Sequence, residues 1–168
     1  MIRKRPRLKT FDYCGRHHYF LTFCTHQRAP VFTRAEPVDL VLDQIVRSAT
    51  QLEFAITAYV FMPDHLHLVL HGLSQNADLK ACAVLAKQRS AYEYSRIYGR
   101  RLWQPSYYDH VIRDEEGILG FLAYLVMNPV EAGLVERPED YPFTGSLTMT
   151  REEMIAIIRN VAPLLLVR

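Results

Sequence analysis

The chain has 168 residues, 49% of them hydrophobic and 23% charged, a balance that suits a single globular domain spanning residues 1–168 with a core of its own. Its three cysteines, Cys14, Cys24 and Cys82, are too sparse for a disulfide scaffold and fit a reducing compartment. The formal net charge of +2 conceals a division: residues 1–101 hold 15 Lys and Arg against 8 Asp and Glu, residues 102–168 hold 5 against 10, and one part of the surface is thereby suited to a polyanion.

Residues 1–16 form a basic N-terminal arm, with Arg3, Lys4, Arg5, Arg7 and Lys9 around Pro6 and none of the apolar stretch that a signal peptide needs. Aromatic and β-branched residues at 17–25 predict a first strand. Residues 36–51 place Val38, Leu40, Val41, Ile45, Val46 and Ala49 at helical spacing. A second strand at 54–61, the tight turn Met62-Pro63-Asp64 and a third strand at 65–71 make a hairpin. A long amphipathic helix then runs from Asp78 to Tyr98 and ends at Gly99, a glycine C-cap. In or just after it stand Lys87, Arg89, Arg96, Arg100 and Arg101, a second basic cluster.

Trp103-Gln104-Pro105 mark a loop, and residues 106–113 a fourth strand. Asp114-Glu115-Glu116 suit a helix start, and Ile118 to Met127 continue as a strongly apolar helix stopped by Asn128-Pro129. A last helix at 152–160 lies in a C-terminal extension, residues 147–168. Its apolar runs are broken by Arg159, Asn160 and Pro163 and fall short of a membrane span, so a cytoplasmic protein is expected. The order strand, helix, strand, strand, helix, strand, helix is an α+β plan. It predicts a ferredoxin-like split β-α-β unit with a central antiparallel sheet, helices on one face, and an additional C-terminal helix.

His65-Leu66-His67 carries the densest chemistry. In the alternating run Met62 to Leu70, residues i and i+2 share a face, so both imidazoles point one way while Leu66, Leu68 and Leu70 point into a core. Such a pair either shares a divalent cation or sits as two half-exposed histidines on a sheet. In the apolar helix, Tyr124 is the only side-chain hydroxyl, and Asn128 follows at i+4 on the same face. That arrangement reads either as a core tyrosine before an Asn C-cap or as a phenol and an amide oxygen presented together. Two His and one amide oxygen are reasonable ligands for Mg²⁺ or Mn²⁺ and suit Zn²⁺ less. A histidine-triad hydrolase is excluded by spacing, since Val69 stands where the third histidine belongs. No G-x-G-x-x-G turn follows a strand, which removes a dinucleotide enzyme. Cys14-x-x-His17 with Cys24-x-His26 lacks the paired knuckles of a structural zinc site.

Three ordered motifs give the sequence a family resemblance: Met-Pro-Asp-His-Leu-His-Leu-Val-Leu, Trp-Gln-Pro-Ser-Tyr-Tyr-Asp-His-Val-Ile-Arg-Asp, and Tyr-Leu-Val-Met-Asn-Pro-Val-Glu-Ala-Gly-Leu-Val. From residue 17 to Ser146 the chain resembles the single-tyrosine HUH transposases, and within them the REP-associated tyrosine transposases. The resemblance implies metal-dependent cleavage and rejoining of single-stranded DNA beside a short hairpin, through a covalent 5′-phosphotyrosine. It implies His65 and His67 as the metal pair, with Mg²⁺ or Mn²⁺, and Tyr124 as the nucleophile. Asn128 falls where the wider group has Gln as third ligand. DNA contacts are expected from Arg3, Lys4, Arg5, Arg7, Lys87 and Arg89 through phosphates, from stacking aromatics such as Trp103, Tyr107 and Tyr108, and from His110 in the second motif. A nucleoid-associated protein follows, with monomer and homodimer both open. The alternative is a domesticated protein that binds hairpins without cutting them.

Overall fold

The computed structural model describes residues 11–113 and 115–165. Asp114 and the basic residues Arg3, Lys4, Arg5, Arg7 and Lys9 lie outside the described residues. The elements follow the predicted order: β1 (His18–Cys24), α1 (Ala35–Gln51), β2 (Phe54–Met62), β3 (His65–Gly72), α2 (Leu79–Tyr98), β4 (Tyr108–Ile112), α3 (Glu115–Glu131), β5 (Thr144–Gly145) and α4 (Arg151–Leu165). The five strands form one sheet in the order β4-β1-β3-β2-β5, with every neighbouring pair antiparallel. The short β5 adds an edge that sequence periodicity does not announce.

Period-2 alternation along the strands sorts side chains to two faces. Tyr19, Leu21 and Phe23 of β1 and Leu66, Leu68 and Leu70 of β3 face α1 and α2 in one core cluster. On the opposite side, Phe20, Val60, Met62 and Val69 pack with Leu122, Leu125 and Val126 of α3 and Met154 of α4. The expectation of helices on one face therefore holds for α1 and α2 alone. The strands are apolar on both faces, so a second helical layer is required, and α3 and α4 supply it. In β2 the register shifts between Ile56 and Ala58, so that Ile56 lies in the first cluster while Ala58 and Val60 lie in the second. One extra residue at a bulge reverses the alternation from there on.

Local chemistry sets the helix ends. The Asp78 carboxylate accepts the backbone N–H groups of Lys80 and Ala81 at 2.8 and 3.1 Å, capping α2, and Gly99 closes it at φ +64°. Asn128-Pro129 does not stop α3, which continues to Glu131 with Pro129 inside it. The stop is Gly133 at φ +68°, where the Leu134 N–H donates to the Pro129 carbonyl at 2.9 Å and the Gly133 N–H to Val130 at 2.9 Å. Those paired bonds are a Schellman closure.

Gly72, at the end of β3, lies so close to the Gly15 carbonyl oxygen that a Cβ would overlap it. Replacing Gly72 by Ala is expected to destabilise the fold by about 1–3 kcal/mol through this backbone clash, seen as a lower urea midpoint with the slope unchanged.

Candidate functional site

His65 and His67 stand on the β3 face that α3 covers. The register of β1, β3 and β4 sets their neighbours: Cys24 lies opposite His65, Thr22 opposite His67, and Tyr108 opposite Thr22 in the same row. The two imidazoles converge, with their Nε2 atoms 3.1 Å apart. Each ring is held at its other nitrogen. The Asp64 carboxylate takes His65 Nδ1 at 2.6 Å, and the Thr22 hydroxyl meets His67 Nδ1 at 2.8 Å. A carboxylate can only accept, so His65 carries its proton on Nδ1 and directs the Nε2 lone pair at His67.

This is the arrangement of a metal ligand whose second nitrogen is fixed by an outer carboxylate. Two cis ligands at about 2.1 Å on one octahedral ion stand about 3.0 Å apart, so the observed separation fits a shared divalent cation. Among the described residues, no group of three His, Cys, Asp or Glu side chains converges to hold a metal ion.

α3 brings Tyr124 and Asn128 to this face. Phe20 of β1 stacks on Phe121 at 4.8 Å and meets Tyr124 edge-on at 5.9 Å, which holds the helix against the sheet. The Tyr124 ring lies 5.6 Å from the His67 ring, within one chain. Burial raises the phenol's pKa, a hydrogen bond with Asn128 pulls it down, and the Glu131 charge raises it again. Asn128 is thus engaged with the phenol, four residues away on the same helix face.

Burial also keeps both histidines in the neutral form that a ligand requires. His67 is only 5% exposed, and its pKa falls to about 3, by desolvation first and then by the nearby His65 and Arg28. His65 is lowered too, chiefly by burial, with Asp64 opposing.

Several residues expected at DNA have partners within the fold. Trp103 is 3% exposed and donates its indole N–H to the buried Ser90 hydroxyl at 2.9 Å, so it is a core residue and not a stacking platform. Lys87 turns its ammonium onto the carbonyls of Gln104, Pro105 and Ser106, which uses its three donors to hold the loop before β4. Burial lowers its pKa to about 8. In this fold it is a loop clamp. Arg89 donates to the Gln51 side chain at 2.7 Å, tying α2 to α1. His110 lies opposite Phe20 on the site face, its ring 5.1 Å from Phe121. Tyr107 packs edge-on against Phe23, while Tyr108 is 44% exposed in the row of His67. Sequence reasoning does not single out Thr22, Asp64 or Arg28. Asp64 adjoins His65 in the first motif; the other two are adjacent only through the fold.

The fold is that of solved transposases. A REP-associated tyrosine transposase bound to a REP hairpin superposes with a TM-score of 0.70 at 22% identity, covering 83% of this chain and 82% of that one. Residues 14–118 match the family model described as transposase IS200-like, and the chain belongs to that family. The matched stretch contains His65 and His67 and ends before Tyr124. Among curated relatives, a Haemophilus influenzae protein provisionally named as a REP-associated tyrosine transposase is 32% identical over 109 residues, 55% of this chain and 58% of that protein. The REP-associated tyrosine transposase of Escherichia coli is 26% identical over 101 residues, 60% of this chain and 59% of that protein. The chain thus spans under two thirds of the length of either relative.

The lowered pKa of His67 has a consequence for stability. Above pH 6.5 neither state protonates this ring. Between 6.5 and about 3 the unfolded chain binds a proton that the folded chain refuses, so stability falls as the pH falls. In metal-free buffer, His67→Gln is expected to remove about one proton's worth of this dependence, a slope of about 1.4 kcal/mol per pH unit. Urea unfolding of both proteins between pH 7 and 4 measures it.

Proposed function

We propose that this chain is a metal-dependent, single-tyrosine DNA strand transferase acting on single-stranded DNA beside a hairpin. The observation that carries the reading is the convergence of His65 and His67 at 3.1 Å with Tyr124 beside them on one sheet face. The family supports a DNA-processing role, and the structural relative bound to a REP hairpin supports the hairpin partner.

His65 and His67 would hold the cation, with Asn128, on the helix face of Tyr124, as a candidate amide ligand. When bound, a hard divalent ion supplies charge neutralisation at the phosphodiester. Tyr124 acts as the nucleophile: its oxygen bonds to phosphorus, the P–O3′ bond breaks, and the products are a 5′-phosphotyrosine and a free 3′-hydroxyl. The phenol gives up its proton in this step and the departing 3′ oxygen gains one. Burial holds the resting phenol protonated, so activation has to occur in the complex; the Asn128 hydrogen bond already favours the phenolate. Rejoining reverses the step with a second 3′-hydroxyl attacking the phosphotyrosine. Tyr108, exposed in the same row, is suited to stacking an unpaired base, and the basic arm of Arg3, Lys4, Arg5 and Arg7 to phosphates.

With hairpin-bearing single strands and Mn²⁺, the wild-type protein is expected to form an adduct stable in denaturing gels. Tyr124→Phe is expected to abolish the adduct and leave hairpin binding within about twofold, because only a hydroxyl is lost. His65→Ala is expected to lower the cleavage rate by at least about 100-fold and to require more metal. An adduct that persists in Tyr124→Phe refutes the nucleophile assignment.

A further inference from the structure

The turn after β1 is built unlike its surroundings. Gln27 and Arg28 both adopt left-handed backbone conformations, at φ +54° and +57°, although neither is glycine. Consecutive non-glycine residues in this region are strained and persist only where surrounding contacts impose them. Those contacts are present. The Thr25 N–H donates to the Asp64 carbonyl at 3.0 Å, the Phe32 N–H to Pro63 at 2.9 Å, and the His26 N–H to Leu102 at 2.7 Å. The strained turn is therefore fastened to the hairpin turn from which His65 emerges.

What the turn delivers is the Arg28 guanidinium. Its Nε lies 2.7 Å from Asp64 Oδ2, and its Nη1 donates to the Cys24 sulfur at 3.0 Å. The other carboxylate oxygen, Oδ1, takes His65 Nδ1 at 2.6 Å. Arg28 thus occupies one oxygen of Asp64 and leaves the other for the histidine. A carboxylate without this second partner is free to rotate and to bind the ring in several geometries. An exposed ion pair contributes little to stability, and at 49% side-chain exposure Arg28 gains little from its own pairing. Orientation is the use that fits the strain.

We infer that Arg28 is a positioning residue that acts through Asp64 to fix the tautomer and direction of His65 toward His67. The inference rests on the reading of those histidines as metal ligands, and its test separates the two. Mn²⁺ is titrated calorimetrically into the full chain as wild type, Arg28→Gln, Asp64→Asn and the double variant. Arg28→Gln is expected to weaken Mn²⁺ binding by about 10-fold or more, and the double variant to bind no worse than Asp64→Asn alone. Undiminished affinity in Arg28→Gln, or losses that simply add, overturns the inference.

Imidazole ¹⁵N spectra of the metal-free protein give a reading independent of metal. His65 is expected as a single Nδ1–H tautomer in wild type and as a mixture in Arg28→Gln; a single tautomer in both overturns the inference. Absence of Mn²⁺ binding to wild type would instead refute the metal reading, with the spectra still deciding Arg28. Should Arg28→Gln fail to fold, Arg28→Lys, which keeps the charge without the planar fork, takes its place. Wild-type affinity and tautomer in that variant overturn the inference. Gln27→Gly relaxes the backbone and keeps the guanidinium, and it is expected to leave Mn²⁺ affinity unchanged; a 10-fold loss there would assign the effect to the backbone and overturn the role of the side chain.

Discussion

The antiparallel register of β1 on β3 is the constraint from which both the core and the site follow. With Thr22 opposite His67 and Cys24 opposite His65, the intervening residues Leu21, Phe23, Leu66 and Leu68 point together into the core under α1 and α2. A slip of one residue would move these apolar side chains to the α3 face and drive two imidazoles into the core under α1 and α2. The hydrophobic energy that seats the leucines is thus the same energy that aims the histidines. No separate device is needed to present a polar pair on the opposite face.

That opposite face is itself a core, and this sets the electrical character of the site. Phe20 and Val69 flank His67, and α3 lies over them. Desolvation therefore holds both rings neutral, and buried nitrogens need partners. The fold supplies Thr22 from the neighbouring strand and Asp64 from the hairpin turn, leaving one unspent nitrogen on each ring to meet the other. The same economy of partners accounts for Lys87 and Arg89 of the second basic cluster. Lys87 satisfies three loop carbonyls and Arg89 joins two helices, so these cations hold α2, α1 and the loop before β4 together.

The candidate site divides between two ranges of the chain that meet only through packing. The histidine pair belongs to a hairpin and is local. Tyr124 comes from a helix more than fifty residues later, which the aromatic contacts of Phe20 with Phe121 and Tyr124 hold against the sheet. The proposed catalysis depends on the helix keeping its seat. This makes Phe20 and the buried Leu122, Leu125 and Val126 as relevant to the proposed chemistry as the polar groups themselves.

Periodicity and composition alone were enough for the strand-helix order, the hairpin and the common face of His65 and His67, because each is a property of neighbours along the chain. The same holds for Tyr124 and Asn128, one helical turn apart. They did not reveal the bulge that reverses β2, since one extra residue leaves no compositional trace. They place the end of α3 at Asn128-Pro129, whereas the helix tolerates Pro129 and stops at Gly133. They place Trp103 among the stacking aromatics, because residue type does not disclose burial. The contacts of Thr22 and Arg28 were invisible for a related reason: their partners lie across strands and turns, at separations in sequence that carry no pattern. Which residues share a face is written in the period of the chain. Which faces meet, and which polar atoms find each other there, is decided only when the register and the helix packing are complete.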